Sequence, residues 1–263
     1  MEEHKRLSRT IRCKNTNIPG VLGELTGTIG ALGVSIGDIK TVEYGRYFVI
    51  RDVDIMVDDE ESLEEVLEAI SRLKNVSIQE VRDEVLEAHR DGKIAMRSTH
   101  PVTTVTDLRK VYTPGVANVC LRILQDPTQA DHYTSIPRMV AIVTDGSRVL
   151  GLGNIGPRAA MPVMEGKAAL LCQLVGLSGV PILLNTPDPD KIVEAVIHIS
   201  PTFGAIQLED IATPRCFEIE ERLIELLEIP VMHDDQHGTA VVVLAAILNA
   251  CKCAQLDLSQ CMV

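Results

Sequence analysis

The chain has 263 residues, 46% hydrophobic and 24% charged, enough for two domains with separate cores. A net charge of −12 with no basic stripe, together with Trp 0, Phe 3 and Tyr 4, argues against nucleic-acid binding. No apolar run approaches the ~20 residues of a membrane span, the start Met1-Glu-Glu-His-Lys-Arg is unlike a signal peptide, and the 7 scattered cysteines hold no C-x₂-C pair. The expectation is a cytoplasmic protein with no membrane partner and no disulfide framework.

The first stretch reads as a small α+β unit. A short strand over Leu7–Cys13 meets the turn Asn15-Thr-Asn-Ile-Pro-Gly20, after which Val21, Leu22, Leu25, Ile29 and Leu32 recur at helical spacing up to Gly33. Val34, Ile36 and Ile39 open a strand that ends at Tyr44, and Gly45-Arg46 turns it into a second strand, from Tyr47 to Met56. Leu63, Val66, Leu67, Ile70 and Leu73 mark an amphipathic helix, and Val76–Val81 a last strand. The order is β-α-β-β-α-β, the split βαβ arrangement. With Asn17-Ile-Pro-Gly20-Val-Leu-Gly23 at the first strand–helix turn, residues 5 to 83 resemble an ACT domain. The resemblance implies a regulatory module that pairs with a second copy. It also implies a small effector, an amino acid or other small acid, held at Asn17, Pro19 and Gly20, where a Pro-Gly turn opens backbone amides at a helix N-terminus.

Residues 84 to 111 read as a charged connector with a helical start and a polar Ser98–Thr104 stretch. Beyond it, strand and helix alternate: Met139–Thr144, Ala159–Val175, Pro181–Asn185, Lys191–Ile199, Ala205–Leu208, Phe217–Leu227, Pro230–Met232 and Ala240–Ala250. That alternation predicts a mostly parallel sheet with covering helices. Asp145, Glu209, Asp210, Asp234 and Asp235 all follow strands, at the sheet edge where ligands bind in such folds. Converging carboxylates call for a cation, and hard oxygen ligands favour Mg²⁺ or Mn²⁺ over zinc.

Several segments of this second unit, taken in order, resemble malic enzymes: Tyr112-Thr-Pro-Gly-Val-Ala117, Thr144-Asp-Gly-Ser-Arg148-Val-Leu-Gly-Leu-Gly-Asn154, Glu165-Gly-Lys167, Leu208-Glu-Asp210 and His233-Asp-Asp-Gln-His-Gly-Thr239. Such enzymes oxidatively decarboxylate malate to pyruvate and CO₂ with a nicotinamide cofactor, NAD or NADP, and a divalent metal. The resemblance assigns Glu209, Asp210 and Asp235 as metal ligands, Lys167 as general base oriented by Asp234, Tyr112 as the acid that protonates the enolate carbon, and Arg148 as the clamp on a malate carboxylate. A lysine can act as base near neutral pH only when its pKa is lowered from ~10.4. His233 reads as a packing residue and His237 as helix-start chemistry.

The expected fold is therefore α/β: a ferredoxin-like βαββαβ ACT domain over 1–83, then a mostly parallel malic enzyme N-terminal domain over 84–263. The expected assembly is a homodimer or higher. Gly151-Leu-Gly153-Asn-Ile-Gly156 spells G-x-G-x-x-G but follows its strand at a distance and runs straight into Pro157, so it is not read as a dinucleotide motif. The cofactor domain is expected past residue 263, Leu256–Val263 being the lead-in to its first strand, so the chain alone is expected to be inactive. Two other readings stand beside this one: an effector-sensing dimerisation module without turnover, and a metal-dependent oxaloacetate decarboxylase.

Overall fold

Residues 6–261 are described by the computed structural model, and they fall into two units divided between Asp91 and Gly92. The first contains β1 (Leu7–Thr16), α1 (Val21–Ala31), β2 (Ser35–Tyr44), β3 (Phe48–Val57), α2 (Glu60–Ser71), β4 (Val76–Arg82) and α3 (Glu84–His89). Its antiparallel sheet has the order β2-β3-β1-β4, so the βαββαβ order read from the sequence is the one formed. One sheet face gives Ile11, Cys13, Val53 and Ile55 to a core closed by Val21, Leu25 and Ile29 of α1 and Leu63, Val66 and Ile70 of α2. The α2 helix starts where the sequence signals it, the Asp59 side chain accepting from the Ser62 amide at 2.8 Å.

The opposite face carries charge. Asp52 receives Arg12 Nε at 2.7 Å and Arg82 Nη2 at 2.7 Å. The hydrogen bond from Arg12, reinforced by Arg82 against the effect of burial, holds the Asp52 carboxyl down at about 2. Asn15, on β1, is fully buried, and neither atom of its side-chain amide finds a hydrogen-bond partner.

The second unit contains α4 (Val105–Val111), α5 (Val116–Gln125), α6 (Ala130–Tyr133), β5 (Met139–Thr144), α7 (Pro157–Leu170), β6 (Ser178–Leu183), α8 (Pro189–Ile199), β7 (Ala205–Leu208), α9 (Arg215–Leu226), β8 (Val231–His233) and α10 (Asp234–Ala254). The sheet order is β6-β5-β7-β8, with every pair parallel. Ala141 and Val143 of β5 and Ile206 and Leu208 of β7 pack on Ile192, Val193 and Val196 of α8 and on Ile219 and Leu223 of α9; across the sheet Ile142 meets Met164 and Ala168 of α7. The chain runs from β5 out to β6 and returns on the other side of β5 to β7. Loops therefore diverge where β5 and β7 end, which is the crevice such sheets use for ligands.

One connection follows expectation and one differs. β5 ends at Thr144, as read, and Gly146 at φ +68° turns back so closely that a Cβ there would lie 2.3 Å from the carbonyl carbon of Gly156. The glycine-rich stretch is thus a loop closed by a Val149–Gly153 bridge, leading into α7 at Pro157. The helix α10 begins at Asp234 rather than Ala240 and runs for 21 residues, long and apolar enough by length and composition to cross a membrane. No continuous apolar run of that length exists, as read, but the helix that contains the run is longer than the run itself. The polar start, Asp234 to Thr239, breaks the apolar run without breaking the helix, which is why the helix begins earlier than Ala240. Beyond α10, Leu258–Gln260 forms a single 3₁₀ turn, and the end of the expected strand lead-in, Met262 and Val263, lies outside the described residues.

Candidate active site

The acidic pairs stand where neighbouring parallel strands end: Glu209-Asp210 after β7 and Asp234-Asp235 after β8. The third turn of α7 brings Lys167 to them. Its Nζ lies 2.5 Å from Asp234 Oδ2 and 3.1 Å from Glu209 Oε1, and Gln207 Nε2 donates to Glu209 Oε2 at 2.7 Å. The structure thus joins Lys167, Asp234 and Glu209 in one cluster. Asp210 takes a left-handed backbone, φ +56°, rare for a residue with a side chain and common at functional sites. In that conformation its amide donates to Asp235 Oδ2 at 2.9 Å and its carbonyl accepts from the Arg148 amide at 3.1 Å.

Burial governs the charges. Glu209 is 4% exposed, and desolvation pushes its carboxyl up to about 7 against the pull of Lys167 and Gln207. Asp210 is pushed up to about 6, by desolvation first and the neighbouring Asp235 second. Desolvation pulls Lys167 down, but the bonds and charges of Asp234 and Glu209 outweigh it and leave the ammonium raised. That is the opposite of what a base at neutral pH requires, and it follows from two carboxylates lying within 3.1 Å of the ammonium.

The remaining assigned residues sit as follows. Arg148 reaches the cluster through its backbone, while its Nη1 donates to Thr213 Oγ1 at 3.1 Å. Tyr112, at the C-cap of α4, is 67% exposed and makes no hydrogen bond to the cluster among the described residues. Also among the described residues, no group of three His, Cys, Asp or Glu side chains is arranged as it stands to hold a metal ion. Glu209 is occupied by Lys167 and Gln207, and Asp235 by the Asp210 amide. In the first unit, Asn17 donates from Nδ2 to the Gly45 carbonyl at 2.9 Å, fastening the turn to the β2–β3 hairpin. Gly20 caps α1 at φ +95° with no side-chain cap, leaving its first-turn amides without one.

Two polar residues escaped the sequence reading. Arg215 Nη2 lies 2.5 Å from the buried Asp145 Oδ2, and Asp145 also takes Ser147 Oγ at 2.5 Å. Since Ser147 Oγ accepts from the Ala212 amide at 2.8 Å, this chain of contacts fixes the loop after β5 to the loop after β7. Nothing in the spacing of Arg215 announces it. Glu220 is the other: an acid among Cys216, Ile219 and Leu223 on the buried stripe of α9, a visible breach of an amphipathic pattern.

The family profile described as "Malic enzyme, N-terminal domain" matches residues 91–189 and 185–224. NAD-dependent malic enzyme 1 of Bacillus subtilis is 52% identical over 257 residues, covering 97% of this chain and 58% of that protein. NAD-dependent malic enzyme of Geobacillus stearothermophilus is 48% identical, covering 87% of this chain and 48% of that one. The crystal structure of malic enzyme from Pyrococcus horikoshii superposes with a TM-score of 0.64 at 49% identity, over 67% of this chain and 42% of that one. The chain spans about half the length of these curated relatives. It belongs to the malic enzyme family and carries that family's N-terminal domain.

Proposed function

We propose that this chain supplies the substrate-binding and acid–base half of an NAD- or NADP-dependent malic enzyme that converts malate to pyruvate and CO₂ in the cytoplasm. The observation that carries the reading is the contact of Lys167 with both Asp234 and Glu209 at the ends of β7 and β8. Lys167 takes the proton of the malate C2 hydroxyl, and Asp234 holds its ammonium in line and steadies the charge it gains. Arg148, standing beside Asp210, meets a malate carboxylate; its fork of donors suits that task, and among the described residues its side chain is engaged only by the exposed Thr213 hydroxyl. Once CO₂ has left, the enolate carbon needs a proton, and Tyr112 is its donor. Its exposure on the α4 turn fits a side chain brought to a site by assembly, as a homodimer or higher.

A divalent cation fits the residues present. Asp210 Oδ2 is buried with no partner among the described residues, and burial raises both the Glu209 and the Asp210 carboxyl, so their ionised forms lack the compensation a cation would give. Glu209, Asp210 and Asp235 are the residues that would hold Mg²⁺ or Mn²⁺, which supplies Lewis-acid stabilisation of developing negative charge, as the nicotinamide supplies a hydride acceptor. The first unit is read as an ACT module. Its βαββαβ topology supports this, as do the uncapped first turn of α1 and the unpaired Asn15 two residues before Asn17, for a small acid held near Asn17, Pro19 and Gly20.

The test is turnover by the protein that contains this chain. With malate, NAD and Mn²⁺, Lys167→Ala should lower kcat by roughly 10²–10⁴-fold and leave KM little changed. A near-normal kcat would return Lys167 to a structural role. Parallel assays with oxaloacetate, with and without Mn²⁺, separate oxidative decarboxylation from decarboxylation alone.

A further inference from the structure

A carboxylate on the apolar stripe of a helix is tolerated only where its oxygens are met. Both oxygens of Glu220, which is 6% exposed, are met by one short segment. Oε1 accepts from the His233 amide at 2.7 Å, and His237 Nε2 lies 3.0 Å from Oε1 and 3.1 Å from Oε2. His233 is the N-cap of α10 and has no side-chain cap of its own; His237 lies one turn along. Glu220 therefore grips the two ends of the turn whose middle is Asp234-Asp235. From that turn Asp234 points to Lys167 and Asp235 to the amide of Asp210. The His233 ring is buried and neither nitrogen makes a hydrogen bond among the described residues; its Nε2 comes no nearer than 3.5 Å to Asp235 Oδ2, so Glu220 supplies the short polar contacts that hold the turn.

We propose that Glu220 is a positioning residue, fixing the first turn of α10 so that Asp234 meets Lys167 and Asp235 meets Asp210. It acts through those two aspartates, and its importance to the reaction rests on the function proposed above. Removing it should rotate both carboxylates out of register while leaving the sheet in place.

The experiment compares the whole chain with Glu220→Gln, Glu220→Leu, His237→Ala and Leu223→Ala. The last perturbs the same helix without touching the turn. Amide NMR of the metal-free protein reads the His233 and Asp210 hydrogen bonds, and Mn²⁺ binding is followed by electron paramagnetic resonance. Gln keeps an acceptor for the His233 amide, so its spectrum should stay near wild type. Leu should move both amides and weaken Mn²⁺ binding by about 10–100-fold. His237→Ala should move the Asp210 amide by less, and Leu223→Ala not at all. An unmoved Asp210 amide in Glu220→Leu, or an equal shift in Leu223→Ala, would overturn the proposal. Should the Leu variant not fold, His237→Ala decides: an Asp210 amide it leaves unmoved rejects the clamp. If the wild type binds no Mn²⁺, the metal reading fails while the amide shifts still judge Glu220.

Discussion

Replacing Lys167 with methionine tests the electrostatics of the cluster directly. Methionine keeps most of the apolar stem and removes the ammonium that lies 2.5 Å from Asp234 and 3.1 Å from Glu209. Glu209, already raised to about 7 by burial, then loses the charge that pulls it down, so its pKa rises further. The sign follows from linkage. A carboxyl whose folded pKa exceeds its unfolded value contributes stability that is fully present below about pH 4.3 and lost as pH rises through the folded pKa. At about pH 5, Glu209 is protonated in both proteins, and the variant loses only the contact with Asp234. That aspartate's side chain is 30% exposed, and such a pair is worth ~1 kcal/mol or less. At about pH 8.5 the variant must bury an unpaired carboxylate or bind a proton from dilute solution. Breaking a buried pair costs about 3–5 kcal/mol. Because the lysine side chain keeps 24% of its exposure, about 2–3 kcal/mol is the discounted expectation. Urea unfolding in a chelator, followed by hydrogen exchange at β7 so that the second unit is read alone, gives the two costs. Equal costs at the two pH values would refute the argument.

Mn²⁺ at a hundred times its Kd should stabilise the second unit by about 2.7 kcal/mol and flatten its pH dependence between about pH 5 and 8. A melting temperature indifferent to Mn²⁺ would count against Glu209, Asp210 and Asp235 as its ligands. Asn15→Leu, close to isosteric, should stabilise the first unit by about 1–2 kcal/mol, since it removes an amide buried without a partner; a lowered urea midpoint would mean that the amide is satisfied. For Asp52, held at about 2 chiefly by its hydrogen bond from Arg12, the sign is reversed. Its contribution, about 2 kcal/mol, is present above the unfolded value of ~3.9 and lost as pH falls toward 2. Asp52→Asn should therefore flatten the acid limb of the first unit's stability curve, and a limb as steep as wild type would reject the pairing with Arg12 and Arg82.

What could be read in the sequence divides along physical lines. β5 and β7 fall at Met139–Thr144 and Ala205–Leu208, as read, because a buried parallel strand is a short apolar run closed by turn residues. The helices α4 and α6, of 7 and 4 residues, have too few turns to show a period, although Thr104 and Asp107 form a capping box that marks the start of α4. The start of α10 reads too late in the sequence, with His237 as helix-start chemistry, for a different reason. Its first turn is polar and is held by Glu220 of α9, a contact the order of residues does not reveal. The identities of Lys167, Glu209, Asp210, Asp234 and Asp235 were legible as a set, but the state of the set was not. The malic enzyme resemblance implies that Lys167 is a base whose pKa must be lowered; the fold puts it between two carboxylates and raises it. A divalent cation held as proposed above would resolve the conflict. Glu209 cannot serve Lys167 and a divalent cation equally, and the cation carries twice the charge. Occupation of the carboxylates would withdraw Glu209 from the ammonium and place a positive charge beside it. Both changes lower the Lys167 pKa toward the range in which it can accept a proton. On this argument Lys167 is a poor base in the metal-free cluster by construction, and loading the site is what would arm it.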